Sequence, residues 1–299
     1  MLRTGARVLD DADRDELLEL CARDAVANVF VAGRVEALGV SPRRLGGEVW
    51  GFGARGRLQA ACWSGANLVP VEADERAVDA FAARARAQGR RCSSIVGPAD
   101  AALGLWDRLA PSWGRARDVR RRQLLLVLDG PPAVAPDPMV RRSREDDLDV
   151  LVPACVAMFT EEVGYSPVAW DGGRAYRARV AELAGAGRSF LRLDAGEGPE
   201  LRPVPPGGPL PGPGPLRTAF KAELGAVSSA AVQVQGVYVD PALRGRGLAA
   251  PGMAAVVQLS RERVDVAVSL YVNDFNTAAV AAYLRAGFRQ VGVLATVLF

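Results

Sequence analysis

Apolar and polar positions along this chain alternate between two periods, and the order in which they do so repeats. A short apolar pair at 8–9 reads as a strand. Leu17, Leu18 and Cys21 then recur at helical spacing behind the acidic start of a helix over 11–24, and a second helix covers 28–38. Residues 48–52 and 58–62 alternate around a glycine-containing turn at 53–56, which predicts a hairpin, and 67–71 continues the strands. Asp74 caps a helix carrying Val78, Phe81 and Ala85 that stops at Gly89. A strand at 92–96, a helix at 99–109 and a buried-type strand at 124–128 complete the series.

The same order returns after Asp129, where DGPPAVAPDPM cannot sustain helix or sheet and marks a linker. It divides the chain into 1–130, a linker at 131–139, and 140–299. The second part predicts a strand at 140–142 and a helix at 145–162 with Leu148, Leu151, Val152, Cys155 and Phe159 on one side. A helix at 174–184 and strands at 188–193 and 219–224 follow, separated by a proline- and glycine-rich insertion over 196–215. Next come a strand at 232–239, a helix to 263, a strand at 266–272, a helix at 276–286 and two strands at 289–293 and 295–298. Each part therefore reads βααβββαβαβ, the second with one extra strand, which predicts an α/β (α+β) protein made of tandem copies.

One stretch stands out, VQVQGVYVDPALRGRGLAA from Val232 to Ala250. The alternation of its valines shifts by one residue after Gly236, as a β-bulge requires, so the strand should bend there. Arg244-Gly245-Arg246-Gly247-Leu248-Ala249 then opens a helix whose free N–H groups and dipole favour an anion, and whose glycines let a bulky one approach the backbone. Pro251 falls in the first turn, where its missing N–H costs nothing. The spacing does not fit the dinucleotide fingerprint or an NTPase P-loop. At the equivalent junction of the first part stands VPVEADER, with three acidic residues and no glycine, which repels a diphosphate. The N-terminal copy is read as degenerate, serving as scaffold or acceptor-side wall.

The Arg244, Gly247 and Ala249 pattern resembles the R/Q-x-x-G-x-G/A pyrophosphate loop of the GCN5-related N-acetyltransferases. About thirty residues on, Asn276, Tyr283, Gly287 and Phe288 match that family's N-x-x-A-x-x-x-Y-x-x-x-G-F segment. Segments such as NVFVAGRVE and RLGGEVWGF look like those of an actinobacterial acetyltransferase-like group with an uncharacterised N-terminal domain. The resemblance implies a mixed, mostly antiparallel sheet flanked by helices, and acetyl-CoA as donor. It places Val237, Tyr238 and Val239 along the pantetheine arm, Arg244 to Ala249 on the pyrophosphate, Asn276 on the pantetheine and Tyr283 as acid for the departing thiolate. Many relatives carry a base glutamate on the bent strand; here that neighbourhood offers Gln233 and Gln235, which cannot take a proton. Glu223 on the preceding strand, and Glu161 or Glu162 near Tyr165, are the candidates instead. An alkyl amine with a pKa of ~10.4 needs about 4–5 kcal/mol to be neutral at pH 7, so a base or desolvation must act.

Composition narrows the partners. Net charge is +3 with 49% hydrophobic and 24% charged residues, so no strong field demands nucleic acid or an anionic membrane. The arginines at 115, 117, 120, 121 and 122 lack interleaved aromatics and read as a solvated face. There is no histidine and only one lysine, Lys221, and four scattered cysteines give no zinc pattern. With no signal-like start and no long apolar run, a cytoplasmic protein without a metal is expected. The expected activity is transfer of an acetyl group to an amine of a small molecule or peptide. The alternatives are a non-catalytic acyl-CoA sensor and an aminoacyl or peptidyl transferase with a macromolecular acceptor.

Overall fold

The computed structural model describes residues 5–169, 171–196, 201–208, 215–262 and 266–299. The first part comprises β1 (Arg7–Val8), α1 (Arg14–Ala22), α2 (Val29–Leu38), α3 (Pro42–Leu45), β2 (Glu48–Ala54), β3 (Arg57–Ser64), β4 (Asn67–Val71), α4 (Glu75–Gln88), β5 (Ser94–Pro98), α5 (Ala99–Trp113) and β6 (Asp118–Leu128). The second comprises β7 (Arg141–Arg142), α6 (Leu148–Val163), α7 (Arg174–Gly185), β8 (Ser189–Ala195), β9 (Arg202–Pro203), β10 (Leu216–Val227), β11 (Ala231–Val239), α8 (Ala249–Arg261), β12 (Ala267–Asn273), α9 (Thr277–Ala286) and β13 (Arg289–Leu298). Asp74 caps α4 as expected, accepting a hydrogen bond from the Ala77 amide at 2.8 Å.

All the strands join one sheet in the order β1-β2-β3-β4-β5-β13-β6-β12-β11-β10-β8-β7, with β9 beside β8. Only β4–β5 and β11–β12 run parallel. The mixed, mostly antiparallel α/β sheet follows the expectation, but the halves do not close separately. β13 lies between β5 and β6, pairing Leu298 with Ser94 on one edge and Val293 with Leu124 on the other. β6 in turn flanks β12, pairing Val268 with Leu128 through Asn273 with Gln123. Each half thus lends its last strand to the other. The cores follow suit: Ala295 and Val297 of β13 pack with Trp50, Phe81 and Leu105, while Leu126 and Leu128 of β6 pack with Phe220, Met253 and Phe288. Residues 131–139 divide the sequence, not the sheet. That segment is itself tied down, since buried Asp137 accepts from Arg192 of β8 at 2.9 Å and its amide donates to the Pro251 carbonyl at 3.0 Å.

Three elements differ from the sequence reading. The two expected C-terminal strands are one, β13; its register slips at Gln290/Gly292 and Leu294/Thr296, and such bulges interrupt the alternation that marks a continuous strand. β6 begins at Asp118 instead of 124, so the arginine run enters the strand, while Arg115, Arg117, Arg121 and Arg122 stay exposed, as a solvated face requires. In the insertion, β9 pairs with β8 and β10 starts at Leu216, while 197–200 and 209–214 lie outside the described residues. Residue 263, the expected helix end, also lies outside them.

Candidate active site

β11 and β12 hold each other only through Ala231–Ala267, Val232–Val268 and Gln233–Ser269. Beyond that point both continue, β11 to Val239 and β12 to Asn273, without pairing to each other. The strands splay into a cleft of about 990 Å³. Gly236 lines it with φ +57°, and the register on β10 passes from Lys221↔Tyr238 to Glu223↔Gln235, so two residues of β11 face one of β10. This is the bulge read at Gly236. It turns the main chain of Val237, Tyr238 and Val239 along the cleft wall, where no neighbouring strand uses their β12-facing groups.

At the mouth, Asp240 caps a single 3-10 turn by accepting from the Ala242 amide at 2.9 Å. Gly245 and Gly247 follow with φ +77° and +80°, and a Cβ at either position would meet nothing within 4 Å. Gly245, Gly247, Leu248 and Ala249 line the cleft and lead into α8, whose first-turn amides lack intrahelical partners. An open concavity of main-chain donors results, with the shape and polarity a diphosphate requires. Arg244 faces the cleft but is engaged: its guanidinium grips Glu161 at the end of α6 through two bonds of 2.9 and 2.7 Å. That hydrogen bond holds the Glu161 carboxyl below its ordinary range, so Glu161 is poorly suited to accept a proton. Arg246 is exposed beside the cradle and is not part of the cleft wall.

Asn276 and Tyr283 sit on the opposite wall. The Asn276 side-chain oxygen caps α9 by accepting from the Ala279 amide at 3.2 Å. Tyr283 is 7% exposed, meets Phe288 edge-on at 6.1 Å, and gives its hydroxyl no protein hydrogen-bond partner among the described residues. Burial, with a smaller contribution from Glu162, pushes the phenol well above its ordinary value, so it stays protonated. Beside it, Tyr271 of β12 is likewise pushed up to about 12 by burial.

Of the remaining carboxylates, Glu223 lies against the bulge with one oxygen 3.0 Å from Lys221 Nζ. Glu162 is exposed at the rim, 3.5 Å from Arg120, whose guanidinium also donates to the Glu162 carbonyl at 2.7 Å. Tyr165 is half exposed and packs outside the cleft, edge-on to Phe159 and under Arg117. Phe159 itself lines the cleft, as does Tyr176, whose hydroxyl donates to the Cys155 carbonyl at 3.0 Å.

Tyr271, Gln123 and, except as part of the arginine run, Arg120 are not singled out by the sequence. The last two come from β6, in the other half. Gln123 donates to Asn273 at 3.0 Å and accepts from Thr296 at 2.6 Å, a three-strand network under the cleft. The arginine run supplies these contacts from protein acceptors already in hand, with Arg117 on the Val163 carbonyl and Arg122 on Asp274.

The equivalent junction of the first half is closed. β4 and β5 pair only at Asn67–Ser94 and Leu68–Ile95, but a Cβ at Gly97 would lie 3.1 Å from Pro70, so little space opens between them. The helix start that follows is capped by Asp74, and Glu72 accepts from Asn28 at 3.0 Å. Carboxylates stand where an anion would have to sit.

A bulged strand splayed from its parallel neighbour, with a glycine cradle at one end and a tyrosine across the gap, defines an acyl-CoA-dependent acyltransferase fold. Residues 219–288 match the profile of the acetyltransferase (GNAT) family. Residues 47–151 match a domain of unknown function, DUF4081. Among solved structures, a Drosophila protein superimposes with a TM-score of 0.61 at 17% identity, covering 98% of both chains. A GCN5-related N-acetyltransferase from Sphaerobacter thermophilus gives 0.52 at 19% identity, over 97% of this chain and 94% of that one. A GNAT-family acetyltransferase from Colwellia psychrerythraea gives 0.52 at 12% identity, over 98% and 99%. At these identities the likeness establishes the fold. No curated protein matches the chain. Among the described residues no group of three or more Cys, Asp or Glu side chains could hold a metal, and no helix is long and apolar enough to cross a membrane.

Proposed function

We propose that the protein acts in the cytoplasm and moves an acetyl group from acetyl-CoA directly to an amine of a small molecule or peptide, without a metal. The observation that carries this reading is the convergence on one cleft of the open glycine cradle, the bulge and a buried tyrosine hydroxyl with no partner among the described residues. Backbone amides of Gly245, Gly247, Leu248 and Ala249 hold the pyrophosphate, those of Arg244 and Arg246 being taken by the Pro241 and Leu243 carbonyls; the free strand edge of Val237–Val239 pairs with the pantetheine arm, and the Asn276 amide group meets the same arm. Glu223 takes the proton from the attacking amine, whose nitrogen bonds to the thioester carbon. The carbon–sulfur bond then breaks, and Tyr283 gives its proton to the leaving sulfur. Glu162 stands at the rim as the second carboxylate able to receive the amine proton. Arg120 and Gln123 make β6 an acceptor-side wall, which is the service the N-terminal copy performs.

Gln233 and Gln235 favour a second reading. They bond to each other at 3.2 Å on the strand where relatives carry a base, as expected of a site that binds acyl-CoA without turning it over. Calorimetry with acetyl-CoA, followed by thiol release against a panel of amines, separates the two. Saturable acceptor-dependent release marks the enzyme; tight binding with no release marks a sensor, and no binding at all removes both.

A further inference from the structure

The chain carries 37 cationic side chains, and every one but Lys221 is an arginine. That single lysine is also among the most deeply buried side chains, 1% exposed on β10 beneath the cleft. A buried ammonium costs several kcal/mol in lost hydration unless its surroundings repay it. Here Nζ donates to one oxygen of Glu223 at 3.0 Å and also contacts the Cys155 thiol of α6. Burial acts to push the lysine down, but Glu223 and Cys155 outweigh it and leave the amine above its ordinary value, so it stays charged.

The bulge is built around this pair. A Cβ at Gly236 would come within 3.0 Å of Lys221 Nζ, 3.1 Å of the Glu223 carboxyl carbon and 3.2 Å of Met158. No room remains for the wider, planar head of an arginine, whereas a compact ammonium fits. Lys221 engages one oxygen of Glu223, and the other has no protein hydrogen-bond partner among the described residues, while Glu223 lines the cleft. The other titratable groups around the pair are Tyr176 of α7, bonded to the Cys155 carbonyl, and Tyr238 across on β11; β8 opposes it with the uncharged Ser189 and Leu191.

We infer that Lys221 is a positioning residue, which clamps one oxygen of Glu223 so that the other is presented at the bulge to the incoming amine. The inference rests on the reading of Glu223 as base, and its test separates the two. Glutamate-selective carbon NMR, with Glu223 assigned by E223Q, follows the carboxyl titration in the intact apo protein. In Lys221→Met the Glu223 midpoint is expected to rise by about one pH unit or more, because a neighbouring cation favours the charged carboxylate. Lys221→Gln, which keeps a donor without the charge, provides the same readout should the methionine variant fail to fold. An unchanged midpoint overturns the inference whether or not an acceptor is known.

Kinetics add the second arm. K221M is expected to slow acceptor-dependent thiol release about ten- to a hundredfold, to leave the KM for acetyl-CoA within about twofold, and to move the acid limb of the pH profile upward. E223Q is expected to abolish that limb, and the double variant to match E223Q within about twofold. A double variant a further tenfold slower shows that Lys221 acts otherwise and refutes the proposal. Wild-type activity that survives E223Q unchanged removes Glu223 as base, while the NMR midpoint still decides the clamp.

Discussion

A fragment ending at residue 130 should fail to fold, although it contains every strand of the first half. It lacks β13, which in the intact chain pairs Leu294 through Leu298 with Pro98 through Ser94. Val297 and Ala295 are fully buried in the first half's core, and Phe299 sits between Trp106 and Trp113 with both ring centroids at 5.6 Å. At about 1.5–3 kcal/mol for fully buried Val297, and less for Ala295 and partly buried Phe299, these side chains contribute about 3–5 kcal/mol. The strand pairing adds about 0.5–1.5 kcal/mol per hydrogen bond. The sum rivals the entire stability of an ordinary domain, about 5–15 kcal/mol. Urea unfolding followed by circular dichroism, with amide NMR dispersion, is the assay. The full chain should give a cooperative transition, the fragment none, and adding 140–299 in trans should restore order. A fragment that unfolds cooperatively by itself, with dispersed amides, would refute the reasoning and make the linker a true domain boundary.

Three other outcomes follow from the site and the core. Tyr283→Phe should lower turnover about ten- to a hundredfold with acetyl-CoA affinity and melting temperature unchanged, since the hydroxyl bonds to none of the described residues; unaltered steady-state turnover would remove its role as acid. Glu161→Gln should free Arg244 and tighten CoA binding by calorimetry about two- to fivefold, no more than an exposed pair is worth, and added salt should shrink the gain. Asp13 is fully buried and held at about 2, chiefly by its hydrogen bonds from Arg7 at 2.7 Å. Its folded value lies below the unfolded one, so it contributes about 2 kcal/mol at neutral pH that is lost as pH falls from about 4 through 2. Urea midpoints measured across that window should fall more steeply for the wild type than for Asp13→Asn.

The site was legible where chemistry forces a residue type. Gly236, Gly245 and Gly247 all adopt positive φ, and the shifted valine alternation marks the bulge in the sequence itself. Asn276 caps the helix that carries Tyr283 and both line the cleft, because capping and spacing on one helix are local properties. What stayed hidden depends on partners far along the chain. Nothing in the apolar runs of β6 and β13 tells which strand each will pair with, so the exchange, and with it Arg120 and Gln123, was out of reach. The fate of Arg244 was hidden for the same reason, because Glu161 lies 83 positions away. The sequence also carries a local sign of duplication. Arg7, Asp10 and Asp13 stand at the spacing of Arg141, Arg144 and Asp147, and in each set the arginine grips the last aspartate through two 2.7 Å bonds while the middle residue's amide donates to it.

The strand exchange also explains how a half with a closed cleft of its own takes part in the site. Opening the V between β11 and β12 deprives β12 of a partner along the stretch that carries Tyr271 and Asn273, and a strand free on that edge needs support on the other. β6 gives it through six successive register pairs, twice the three that join β12 to β11. The wall opposite the bulge is therefore held by the N-terminal half, with Gln123 fixing the Asn273 side chain through the same strand. A site that stabilises developing charge depends on groups that do not have to reorganise when the reaction begins. The closed junction of the first half leaves that support untouched, since none of the Asp74 and Glu72 contacts that close it involve β6.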